Sequence, residues 1–277
     1  MRFQKIYVEI SNLCNLSCAF CPGTRRAPGR ISPAEFEKLL PKLKPYTEYL
    51  YFHIMGEPLC HPQLGELLDL AGAYGFRVIL TTNGTLLARQ QKMLLSASAL
   101  HKVNISLHAF EANDLAVPFE DYLADCFRFG QAAAGKKLVV YRLWNKGGAD
   151  ARNAEILTAM ESYFSKPWQI QRQGTRIGER VYLEYGEKFD WPDMDAPEGT
   201  DRAFCYGLRD QIGILWDGTV VPCCLDREGD IALGNIFRQE LDDILQSPRA
   251  KAIYEGFSQR MAVEPLCRRC GYAKRFT

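Results

Sequence analysis

Lys5-Ile-Tyr-Val-Glu9-Ile-Ser-Asn-Leu-Cys14-Asn-Leu-Ser-Cys18-Ala-Phe-Cys21 is the stretch that decides how the rest of the chain is read. Residues 3–10 mix β-branched and aromatic residues with polar ones and read as a strand. Three thiols follow at once on one short loop. Three thiolates can hold three irons of a [4Fe–4S] cube, and with no fourth cysteine close by the last iron has no protein ligand. A metal with an unfilled position can bind and react with a small molecule, whereas a closed site is structural. The plainer alternative is half of a zinc site. Zinc usually takes C-x-x-C pairs, so a three-cysteine loop offers one ligand too many or too few.

Outward from this stretch, short β-rich runs alternate with helical patterns. Strands are expected at 48–54, 76–81, 102–107, 138–144 and 168–173, and helices near 33–44, 63–74, 86–97, 119–134 and 151–164. Ser32-Pro-Ala-Glu35 reads as a capping box with proline at the first helical position, and Gly75 as a helix C-cap. Such β–α repeats imply an α/β fold with a mainly parallel sheet and right-handed crossovers. The pattern leaves a doubly wound sheet and a partial (β/α) barrel both open. In either, chemistry belongs at the C-terminal ends of the strands. Residues 174–202, rich in Gly, Asp, Glu and Pro, read as a connection. Gln211–Trp216, Asp217-Gly218 and Thr219–Val221 then spell a hairpin, with helices near 238–256. The expected division is 1–175 and 176–277.

Ten cysteines in 277 residues, among many ordinary core residues, point to metal binding in a reducing compartment and not to a disulfide scaffold. Cys205, Cys223 and the compact Cys267-Arg-Arg-Cys270 form a second set of four. Four thiolates make a complete site, which suits a closed cluster or a structural zinc. Cys60, Cys126 and Cys224 are left over and read as packed thiols, although Cys224 adjoins a ligand and Cys60 could donate a hydrogen atom. A net charge of +1 carries no footprint for nucleic acid or an anionic membrane. With no signal-peptide pattern and no apolar stretch long enough to span a bilayer, a cytoplasmic location is the expectation.

The cysteine loop, Met55-Gly56-Glu57-Pro58, Thr81-Thr82-Asn83-Gly84, Ser106 and Arg142 come in an order that resembles the radical S-adenosylmethionine (SAM) superfamily over about residues 5–145. The resemblance implies a partial (β/α)6 TIM-like barrel whose open iron chelates SAM. It places Gly56 and Glu57 at the SAM amino group, Asn83, Ser106 and Arg142 at its ribose and carboxylate, and Phe20 beside the adenine. The C-terminal cysteines resemble the SPASM/twitch extension, a small hairpin-plus-helix domain holding an auxiliary [4Fe–4S] cluster on Cys205, Cys223, Cys267 and Cys270. The implied activity is reductive cleavage of SAM to a 5′-deoxyadenosyl radical that abstracts hydrogen from a substrate C–H bond. Two-electron oxidation, with the auxiliary cluster as electron acceptor, is the leading reading. Modification of a ribosomally made peptide, by thioether formation or epimerisation, is the second. A non-catalytic metal-binding or electron-transfer protein is the third, and a carrier needs no SAM pocket. The substrate is thus a small molecule or a peptide, and the electron source a flavodoxin- or ferredoxin-like reductant. Glu9, His53, His108 and Trp144, on or at the ends of strands, are candidates for binding substrate or moving a proton. Arg25, Arg26 and Arg30 read as solvated surface or as a greeting patch for an anion or a reductant.

Overall fold

Alternation along the strands sorts the sheet's side chains into two sets, and that sorting builds the site. In the computed structural model, which describes residues 2–113, 116–148, 150–172 and 174–276, Ile6, Val8, Leu50, Phe52, Val78 and Leu80 are buried in the main hydrophobic core. The intervening residues Lys5, Tyr7, Tyr51, His53 and Thr81 line cavities. A packed barrel would fill its bore with branched apolar side chains. This one keeps polar groups there.

The elements run β1 (Lys5–Val8), α1 (Pro33–Leu43), β2 (Tyr49–Phe52), α2 (Leu64–Ala73), β3 (Arg77–Thr82), α3 (Leu87–Ser96), β4 (Leu100–Ser106), α4 (Phe119–Ala133), β5 (Leu138–Lys146), α5 (Asn153–Glu161), β6 (Gln169–Gln171), β7 (Gly174–Gly178), β8 (Val181–Glu187), β9 (Gln211–Ile214), β10 (Thr219–Val221), β11 (Gly234–Asn235), α6 (Leu241–Leu245), α7 (Pro248–Ser258) and α8 (Pro265–Arg268). The sheet order is β11-β10-β9-β1-β2-β3-β4-β5-β8-β7-β6. From β1 to β5 and on to β8 every pairing is parallel and each new strand is added on the same side. A doubly wound sheet reverses its strand order at a switch point. None occurs along this run, and the expected six-stranded partial barrel is what forms.

Ser32 caps α1 through the reciprocal bonds to Glu35 that the capping box requires. Gly75 follows α2 with φ +72°, and Gly218 turns the β9–β10 hairpin with φ +85°.

The strand expected at 168–173 needs correction. β6 is an antiparallel edge hairpin on β7, its three residues are exposed, and residue 173 lies outside the described residues. The sixth parallel strand is β8, inside the stretch read as a connection. Gln-Ile-Gln has one apolar side chain, Ile170, which stands 90% exposed, whereas Val181 and Leu183 bury theirs. The C-terminal hairpin also joins the barrel sheet directly, because β9 lies parallel to β1 in register from Lys5–Gln211 to Val8–Ile214.

Just past β1, Glu9 ties these parts together. Its fully buried carboxylate pairs with both terminal nitrogens of Arg26 at 2.6 and 2.8 Å. It also accepts from the backbone N–H of Met55, after β2, and of Trp216, after β9. Burial pushes this carboxyl up, and Arg26 pulls it back toward the ionised form. Arg26 is therefore a structural partner and not solvated surface. Arg26→Met should destabilise the fold by about 3–5 kcal/mol, because a buried carboxylate loses its counter-charge. Urea unfolding measures this, and Glu9→Gln added to that variant should recover part of the loss.

Candidate active site and cluster-binding loops

The cysteine loop leaves β1 and is pinned from three sides. Gly56 has φ +79°, and a Cβ there would overlap the Ser11 carbonyl and lie 2.8 Å from that of Leu13. Glu57 N–H donates to the same Leu13 oxygen. Only glycine lets the two chains pass so closely. From β3, Asn83 donates to Asn15, whose amide donates to Thr85. From the segment after β4, Asn113 accepts from Ser17 N–H and donates to the Cys18 sulfur at 3.1 Å.

Glu57 is tied to the backbone beside the cysteine loop. Its carboxylate is buried and accepts from Leu59 N–H at 3.0 Å and from Asn83 N–H at 2.7 Å. Each oxygen thus holds a backbone N–H group. Burial pushes the carboxyl up to about 7, and those donors offset only part of it. Gly56, Glu57 and Asn83 thus shape the cysteine loop, while Phe20, Ser106 and Arg142 line the adjoining cavity.

That cavity holds 670 Å³. Tyr7, His53, His108 and Trp144 line it, and so do Cys205, Cys223, Cys267 and Cys270. The residues proposed for the nucleoside and the second cysteine set thus share one space. Phe20 lies against His108 with ring centroids 5.0 Å apart. Arg142 stacks over the Trp144 ring at 4.5 Å and pairs with Glu184 at 3.3 Å. His108 Nδ1 sits 3.1 Å from the Arg142 carbonyl and 3.4 Å from the Trp144 backbone nitrogen. Glu9 lies outside the lining, with its oxygens already engaged, so no base role is assigned to it.

Both cysteine sets fit a metal core. Burial pushes Cys14 up to about 11 and raises Cys18 as well. It raises Cys223 and Cys267 further, and neighbouring thiols of the set add repulsion. Buried thiols that oppose one another's ionisation become thiolates once a cationic core neutralises them. Among the described residues no trio of Cys, His, Asp or Glu is gathered tightly enough for a single ion. A lone zinc would draw its sulfurs to about 3.8 Å apart, given Zn–S bonds near 2.3 Å.

The two sets are also bridged. Arg26 Nε donates to the Arg227 carbonyl, Arg227 donates to Gly23 O, and Glu228 accepts from Thr24 and Arg25 N–H. Arg227, Glu228 and Asn113 carry no spacing signal, and sequence reasoning passed them over. Cys126 is a buried core thiol, as expected. Cys60 is partly buried near Cys14. Cys224 faces the cavity, hydrogen-bonded to Tyr7.

A sequence model of the radical SAM superfamily matches residues 8–125, and a model of the SPASM iron–sulfur cluster-binding domain matches 205–271. The chain belongs to the radical SAM superfamily. All seven cysteines of the two sets fall within these matches. Family membership implies SAM and iron–sulfur clusters as cofactors.

Among curated radical SAM relatives, the S-adenosyl-L-methionine-dependent 2-deoxy-scyllo-inosamine dehydrogenase of Niallia circulans is 27% identical over 53% of this chain and 60% of its own length. The tungsten-containing aldehyde ferredoxin oxidoreductase cofactor-modifying protein of Pyrococcus furiosus is 27% identical over 88% of this chain and 81% of its own. BtrN in complex with AdoMet and 2-DOIA shares the fold, with a TM-score of 0.66, 19% identity and coverage of 98% of this chain and 94% of that one. Streptococcus suis SuiB bound to precursor peptide SuiA does so with a TM-score of 0.63, 16% identity and coverage of 99% and 70%.

His53 generates a direct test. Burial, with the charges of Arg142 and Lys5, drives its imidazole down to about 3. An unfolded histidine takes a proton near 6.5. Between those values the unfolded chain holds the extra proton, so this group's contribution to stability is full above pH ~6.5 and is lost as pH falls toward 3. In histidine-labelled protein the His53 resonances should stay at their neutral positions from pH 8 down to pH 5. His53→Phe should show a smaller loss of urea stability on acidification than the parent.

Proposed function

We propose that this radical SAM protein carries out a two-electron oxidation of a substrate C–H bond in the shared cavity. The observation that carries this is the joint lining: the four-cysteine set opens onto the same space as His53, Ser106 and Arg142. When bound, the cofactors supply the hydrogen-abstracting radical at the three-cysteine loop and an electron acceptor at the four-cysteine set. The chain's own residues supply the rest. Phe20, Ser106 and Arg142 orient the nucleoside, and the Gly56–Leu13 crossing holds the thiols in place. The aromatic wall of Tyr7, Trp144 and Trp191 excludes water. His108, kept neutral by burial, is available to take the proton released with the second electron.

The division of labour we favour places the barrel up to β8 and the auxiliary-cluster unit after it, with 188–204 as the connection. A flavodoxin- or ferredoxin-like reductant is the proposed electron source and the cytoplasm the proposed location. No helix among the described residues is long and apolar enough to cross a membrane. Peptide modification is the second reading, supported by the likeness to SuiB bound to its precursor peptide. The 2-deoxy-scyllo-inosamine dehydrogenase likeness favours the first.

Anaerobically reconstituted protein with dithionite should convert SAM to 5′-deoxyadenosine, measured by liquid chromatography and mass spectrometry. Cys14→Ala should reduce that by at least about a hundredfold, through loss of a cluster ligand. Cys267→Ala should keep cleavage but lose product, once a substrate is in hand. Normal product formation in Cys267→Ala would reduce the second set to scaffolding.

A further inference from the structure

The bore beneath the cavity holds more cations than carboxylates. By register, Tyr7, Tyr51, Ile79 and Lys102 form one inward layer, and Ser106, Arg142 and Glu184 a higher one. His53, two residues beyond Tyr51, falls between them. Glu184 is shared by Lys102 at 3.8 Å and Arg142 at 3.3 Å, so one carboxylate serves two cations. Lys5, which lines both this cavity and the space below it, forms no ion pair among the described residues. Two carboxylates stand in the cavity wall. Asp226 is engaged by the backbone N–H groups of Asp230 and Ile231 at 2.9 Å each, which leaves Asp210.

The unpaired polar atoms point the same way. His53 Nδ1 and Trp144 Nε1 are buried without a hydrogen-bond partner, and both residues line the cavity. The indole N–H can only donate, and an ammonium or guanidinium has no acceptor at all. His53 Nδ1, in a neutral ring, donates or accepts according to the tautomer, and Asn104 Oδ1 is an unpaired buried acceptor. An unpaired indole donor beside cations that outnumber the free carboxylates suits a ligand that accepts hydrogen bonds and carries negative charge.

We propose that the substrate carries an oxyanion, a carboxylate or a phosphate ester, seated beside His53 in the field of Lys5 and Arg142. This rests on reading the cavity as the substrate site, and it narrows the substrate to an anionic small molecule. Lys5 is thus a substrate-binding residue supplied by the first position of β1, where the strand's alternation turns it inward with Tyr7.

The test measures binding without turnover. Phenylphosphate, benzoate and neutral benzyl alcohol are titrated calorimetrically into anaerobically reconstituted, SAM-saturated protein. At least one of the two anions should bind about tenfold or more tighter than the alcohol, a difference in line with a charge-assisted hydrogen bond. The stronger of the two tells phosphate from carboxylate. Lys5→Gln should lose about tenfold in affinity for that anion. Lys5→Arg should restore most of it, which guards against simple misfolding. Lys92→Gln, on the exposed face of α3, should bind as the parent does. Equal affinity for alcohol and anions would overturn the proposal. So would a folded Lys5→Gln that binds anions normally while the reduction potential of the second cluster shifts, since Lys5 would then serve the thiolates. Because 5′-deoxyadenosine formation is read separately, SAM cleavage without anion binding removes this proposal alone. Anion binding without SAM cleavage removes the proposed function alone.

Discussion

One buried carboxylate holds the working end of this molecule together. Glu9 gathers Arg26 from the end of the cysteine loop, Met55 from the segment after β2 and Trp216 from the C-terminal hairpin. Each contact alone is an ordinary hydrogen bond or ion pair. Their convergence on one desolvated charge makes them interdependent, since any partner withdrawn leaves the others around an unbalanced anion. That joint anchors the far end of the cysteine loop, while the Gly56–Leu13 crossing, Asn83 and Asn113 fix the stretch that carries the thiols.

A second consequence of that joint is a link between the segments that follow one cysteine of each set. The same Arg26 that satisfies Glu9 passes its Nε to the Arg227 carbonyl, and Arg227 returns a bond to Gly23. The barrel and the SPASM region thus meet along the rim of one cavity. Closing that rim with Tyr7, Trp144 and Trp191 gives a mostly apolar wall around a polar floor. In such a space charges act strongly on one another, which is why His53 is held neutral far below the ordinary histidine range.

Much of this was legible in the chain. The cysteine spacing named the cofactor class, and the capping box at Ser32 and the Asp217-Gly218 turn set local structure where they were expected. Those signals survive because they are local: a cap, a turn or a chelating loop needs only near neighbours. Misreading 168–173 as a barrel strand has the opposite cause. Val181–Glu187 sits among turn-forming residues, and only the partner strand β5 makes it a strand. The structural role of Glu9 was hidden for a like reason. A carboxylate at a strand end looks like a base until the arginine and backbone donors that engage it are brought in from elsewhere.

By itself, then, the sequence determined a parallel α/β sheet, two sets of thiols able to hold iron, and membership in a superfamily that uses them with SAM. Tertiary structure decided that the second set opens onto the cavity lined by Phe20 of the first loop, that Arg26 is paired with a buried carboxylate, and that Lys5, His53 and Arg142 face the same bore. Strand alternation says that residues two apart share a face, but not which face looks inward. That choice is made when six strands curl round and the apolar face is claimed by the helices.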